Sequence, residues 1–178
     1  LTLTLLKHLV PEPWRTLARE WRTRWRIHRG RWSRRGGKPC SRDAVSVAAG
    51  PIDAEVYRIH IRGDDGLGIS VYAGGEEVFR FDCLGPTGHY HVNLRQAMFA
   101  SAGRVPRHRF ASEDVAAQAA ESLEILKRDL ENALETNWLP EVRVIATDLA
   151  THRAIVDAIS ARLPEYAHRS DRAGQTPA

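Results

Sequence analysis

The stretch FRFDCLGPTGHYHVNL, Phe79 to Leu94, gathers an acid (Asp82), a thiol (Cys83) and two alternating histidines (His89, His91). Arg80 precedes the acid and Asn93 follows the histidines. Imidazoles move protons near neutral pH, and a carboxylate set beside one orients it and raises its pKa. Arginines hold anionic oxygens. Such a set suits acid–base chemistry on a phosphate-containing substrate. A variant makes His89, His91 and Asp82 metal ligands. A His-x-His pair on one strand is thin evidence for that, so the sequence is read without metal or cofactor. The chain carries no glycine-rich phosphate loop, nucleophile elbow or HExxH motif.

The elements that must position these residues are short alternating runs. VYRIHIR (56–62), LGISVYA (67–73), EVFRFDC (77–83) and HYHVNL (89–94) read as strands, with GDDG, GGE and LGPTG between them. RHRF (107–110) adds a short edge strand. Ser112 is a good N-cap, and Val115, Ala119, Leu123, Leu126, Leu130 and Leu134 repeat at helical spacing, so the reading is a helix over 113–136. Asn137 and Pro140 end it, and a second helical pattern runs from Val142 to Leu163. Strands followed by helices predict an α+β domain: an antiparallel four- to five-stranded meander with one face covered by two C-terminal helices.

Alternation ties register to face. Putting every apolar set on the covered face opposes Ile61 to Leu67, Ile69 to Phe81 and Cys83 to Tyr90. The open face then carries the row His60–Gly68–Asp82–His91 beside the row Arg58–Ser70–Arg80–Asn93, with His89 at the strand entrance. In this register Asp82 orients His91, His89 and His60 complete the catalytic set, and Arg58, Arg80 and Asn93 bind substrate. Gly68 leaves a gap, and Cys83 turns into the core as an inert thiol. The bland alternative is the solvated polar face that antiparallel sheets commonly have. Arg107, His108 and Arg109 read as a solvated edge.

Charge divides the chain. Residues 1–50 hold 12 Lys/Arg against three acids, leaving 14 basic and 19 acidic side chains for the other 128 residues. The basic pI therefore belongs to the N-terminal segment and does not mark the folded domain as a nucleic-acid binder. Within that segment Trp14, Leu17, Trp21 and Trp25 share a helical face among arginines. This predicts a basic helix over 12–29, suited to nucleic acid or an anionic membrane, with a disordered or non-native tail as the alternative. A linker over 30–52, a domain over 51–163 and a flexible tail over 164–178 complete the plan. Two cysteines, Cys40 and Cys83, make no disulfide framework, and LTLTLLKHLV is too short to cross a membrane. A cytoplasmic protein without a transmembrane segment is expected.

At Arg80-Phe81-Asp82 followed by His89 and His91, the sequence resembles TumE-type toxins of bacterial toxin–antitoxin pairs, over at most residues 56–135. In that family an Arg-aromatic-Asp strand end precedes a His-bearing segment and a helix. Cys83 stands where the family usually has Asn. The plan is equally similar to other small bacterial meander-plus-helix domains. The resemblance implies action on RNA or translation, an antitoxin-like protein partner, and Arg80, Asp82, His89 and His91 as the residues that matter. Two non-enzymatic readings stand beside it. One is a protein-interaction domain using its open sheet face or edge. The other is a nucleic-acid or membrane adaptor working through the N-terminal helix.

Overall fold

A computed structural model describes residues 44–61, 63–100, 105–145 and 148–170. Six strands form one antiparallel sheet in sequence order: β1 (Val45–Ala49), β2 (Ile52–Ile61), β3 (Asp64–Ala73), β4 (Glu76–Cys83), β5 (His89–Val92) and β6 (His108–Arg109). The helices are α1 (Leu94–Ala100), α2 (Val115–Glu135), α3 (Pro140–Arg143), α4 (Leu149–Ser160) and α5 (Leu163–Ser170). The α+β class and the meander match the sequence expectation. The strand count exceeds it, because VSVAA forms a strand inside the expected linker. The basic helix over 12–29 lies outside the described residues. No helix among the described residues is long and apolar enough to cross a membrane.

The core lies between one sheet face and the helices. Ile52, Ala54 and Val56 of β2, Ile69 and Val71 of β3, and Phe79 and Phe81 of β4 pack with Leu126, Leu130, Ile155 and Ile159. The rings of Phe79 and Phe81 stack with centroids 5.4 Å apart. Each fully buried Leu, Ile or Phe contributes about 1.5–3 kcal/mol. The amphipathic spacing of α2 therefore decides which sheet face carries the apolar core.

Two registers differ from the sequence expectation. The β2–β3 hairpin pairs Ile61 with Asp64 rather than with Leu67. Gly63 supplies the positive φ (96°) that so tight a turn needs. Leu67 consequently pairs with Arg58, an odd shift that turns β2 over. Ala54 and Val56 then enter the core in place of Tyr57 and Ile59. Ile69 does pair with Phe81. The β4–β5 connection spans the expected residues 84–88, but Gly85–Thr87 forms a single 3₁₀ turn and the register differs. Phe81, not Cys83, pairs with Tyr90. That shift is even, so the faces stay and the partners change.

The helices also depart in detail. Asp114, not Ser112, is the side chain that caps α2, accepting from Ala117 N at 2.7 Å. Ser112 Oγ instead accepts from Asp114 N at 3.0 Å. The pattern from Val142 to Leu163 divides into α3 and α4, with Asp148 capping α4 through Thr151 N at 2.7 Å. The expected flexible tail starts as α5. There Tyr166 is buried, and its hydroxyl donates to Val56 O at 2.9 Å.

Candidate functional site

Register builds the site. On the sheet face away from the core, β3, β4, β5 and β6 align Gly68, Asp82, His89 and Arg109 in one row. Ser70, Arg80 and His91 form the next row. Asp82 thus stands opposite His89, and Arg80 opposite His91, correcting the expected Asp82–His91 pair. Asp82, His89, His91 and Arg80 are all less than a tenth exposed. A solvated face does not describe them.

Asp82, His89 and His91 each offer one donor atom, and these atoms lie within 4.8 Å of one another. The His89 and His91 rings meet edge to face, with centroids 4.9 Å apart. Backbone carbonyls fix both rings. His89 Nδ1 lies 3.0 Å from Thr87 O, and His91 Nδ1 lies 2.8 Å from Pro106 O. A carbonyl only accepts, so both Nδ1 atoms carry hydrogen. In the neutral ring each Nε2 is then a bare lone pair. His89 Nε2 lies 3.5 Å from Asp82 Oδ2, and Asp82 Oδ1 is buried without a hydrogen-bond partner. Burial, above all, lowers the His91 pKa, against the opposing bond to Pro106. His91 is therefore the neutral ring at physiological pH.

A second polar group adjoins this one. Arg80 Nε and Nη2 donate to the two oxygens of Glu77 at 2.8 and 2.9 Å, and Ser70 Oγ donates to Glu77 at 2.8 Å. Burial penalises the Arg80 charge, but Glu77 outweighs that and holds its pKa up. Burial raises the Glu77 carboxyl, which Arg80 opposes. We take the pair as ionised, because a guanidinium does not give up its proton. The Tyr57 ring lies over Gly68, where an added Cβ would stand 2.3 Å from its Cε2, and its hydroxyl meets Ser70 Oγ at 3.1 Å. The ring fills the gap that Gly68 was expected to leave, and burial pushes the phenol up to about 12.

The other expected site residues are placed elsewhere. Arg58 pairs with Leu67 on the helix-side face. His60 is exposed and bonds Asp65 at 2.7 Å. Asn93 is buried and structural: its Nδ2 donates to Ala133 O at 2.8 Å, and its Oδ1 accepts from Asn137 Nδ2 at 2.7 Å. Cys83 is the expected core thiol. It is 3.6 Å from Ser122 Oγ, and burial pushes its pKa up to about 12.

Sequence reasoning missed Gln118 and read Arg109 as part of a solvated edge, where the structure does expose it. Arg109 is the β6 neighbour of His89 in the row. Gln118, buried on α2, accepts from Gly85 N at 3.1 Å and donates to Gly85 O at 2.6 Å. It thereby anchors the 3₁₀ turn whose Thr87 carbonyl orients His89. A polar residue on the apolar face of a helical repeat was the signal available for Gln118.

No protein-family model matches the chain, and neither the curated proteins nor the solved structures contain a significant match to it.

Proposed function

We propose that the chain is a small bacterial cytoplasmic enzyme with toxin-like action on RNA, and that Asp82, His89 and His91 form its reactive centre. One observation carries the reading. Two imidazoles are held by carbonyls with one donor atom each within 4.8 Å of a buried carboxylate that has an unpartnered oxygen, and His89 Nε2 lies 3.5 Å from Asp82 Oδ2. Leaving a buried acceptor unsatisfied costs about 1–3 kcal/mol, so such convergence favours a function over packing.

Phosphodiester chemistry suits the centre. It needs groups that handle a proton or a cation at the reacting oxygens, and positive charge for the phosphate. Arg109, beside His89, takes the anion-holding role expected of Arg58. Arg80 serves by bracing Glu77. The toxin reading brings with it an antitoxin-like protein partner. A protein-interaction role through the sheet face fits less well, because the face is buried at its polar residues.

Induced expression of the full chain tests the reading, with growth and bulk RNA turnover followed for wild type, Asp82→Asn and His89→Gln. Growth arrest and RNA loss by wild type alone are expected. No effect of wild type on either would overturn the RNA reading, and undiminished RNA loss by both variants would overturn the site.

A further inference from the structure

We propose that Asp82, His89 and His91 hold a divalent first-row metal ion, with zinc as the reference ion. This rests on the reading that the cluster is the working centre. It changes what the lone pairs do there: they bind an ion rather than a proton.

The argument starts from valence. Both Nδ1–H groups are committed to carbonyls, at Thr87 and Pro106. The ring nitrogen left to His89 is Nε2, which stands 3.5 Å from Asp82 Oδ2 and is free to ligate. The carboxylate is acceptor-only. Three potential ligand atoms within 4.8 Å of one another, on residues less than a tenth exposed, frame a space that suits a cation. The pattern is also the one metal-bound histidines use, in which the second ring nitrogen donates to a carbonyl and fixes the tautomer.

Distance agrees. Ligand atoms at zinc's usual 2.0–2.1 Å and near-tetrahedral angles stand about 3.4 Å apart. His89 Nε2 and Asp82 Oδ2 are 3.5 Å apart, and the widest of the three separations is at most 4.8 Å. Small side-chain rotations close that difference. Asp82 Oδ1, buried and unpartnered, is a second oxygen for the ion.

The donor set narrows the ion. Two imidazoles and one carboxylate suit zinc, iron, cobalt or nickel better than magnesium or calcium, which prefer oxygen. Three protein donors leave a position for water or a substrate oxygen, as in catalytic rather than structural zinc sites. Cys83, the one free thiol among the described residues, lies on the opposite sheet face and takes no part.

The test uses the full chain, stripped with chelator and titrated with zinc against a chromophoric competitor. One equivalent of tight binding is expected. His89→Gln and Asp82→Asn should each weaken it at least about 10-fold, while His60→Gln leaves it unchanged. Circular dichroism checks that the variants fold. Should they not, cobalt added to wild type supplies the answer: it must broaden the ring resonances of His89 and His91 and spare His60. Binding well below one equivalent, or broadening that spares His89 and His91, overturns the proposal. The two readings fail separately. Zinc bound at full stoichiometry with RNA left intact sinks the RNA reading and keeps the metal. RNA cleaved by metal-free protein in a His89-dependent way sinks the metal and keeps the centre.

Discussion

Asp82 faces His89, not His91, across the β4–β5 ladder, with Oδ2 and Nε2 3.5 Å apart. The pairing follows from the 3₁₀ turn at Gly85–Thr87, which sets where β5 begins to pair. It makes His89 the ring most directly coupled to the carboxylate. His91, two residues on, is held by the Pro106 carbonyl and kept neutral by burial.

The tautomers are open to direct observation. Long-range proton–nitrogen correlation spectra should show His89 and His91 protonated at Nδ1 in the metal-free chain at neutral pH. An Nε2–H tautomer for either ring would break the convergence described above.

Gly68→Ala should destabilise the chain by about 1–3 kcal/mol, since its Cβ would meet the Tyr57 ring at 2.3 Å. Removing the ring removes the conflict. In Tyr57→Ala the same glycine substitution should cost less, a coupling readable by urea unfolding of the double-mutant cycle. Equal costs in both backgrounds would mean that the ring does not occupy that space.

Asn93 carries two separable burdens. Its backbone sits at positive φ (46°), and its side chain joins β5 to Ala133 and Asn137. Asn93→Gly relieves the backbone and loses the bonds, whereas Asn93→Ala loses both. Asn93→Ala should therefore unfold at lower denaturant than Asn93→Gly, by about 1 kcal/mol. A reversed order would show that the backbone conformation is not the issue.

Cys83 gives a pH dependence of definite sign. Its ordinary pKa of 9.0 is pushed up to about 12 by burial, so between those values the native chain keeps a proton that the unfolded chain has lost. Stability therefore falls as pH rises above about 9, by about 1.4 kcal/mol per unit of the gap. Tyr57, raised from 10.0 to about 12, adds to the same decline. Thermal unfolding from pH 8 to 11 should show the fall, and Cys83→Ala should flatten it. A melting temperature that holds constant over that range would contradict the burial of both groups.

The strands β2 to β5, the antiparallel order and helix α2 were legible, because each is a local pattern of period 2 or 3.6. The core role of Cys83 was legible for the same reason. The site's exact partners were not. Hairpin length sets them, and GDDG reads as a turn of its own although Asp64 already pairs with Ile61. That single shift carried Arg58 and His60 off the site face and brought Tyr57 onto it. β1 was hidden because VSVAA is short and built of small residues. Arg109 was read as part of a short edge strand, and β6 bears that out, but the β5–β6 register that sets it beside His89 was not legible.

The most direct test of the central claim is RNA cleavage by the purified full chain, compared at equal protein for wild type, His89→Gln and His60→Gln. A working centre at Asp82, His89 and His91 requires His89→Gln to lose at least about 100-fold in rate, the usual weight of one such group, with His60→Gln unchanged. Equal rates for wild type and His89→Gln would contradict it.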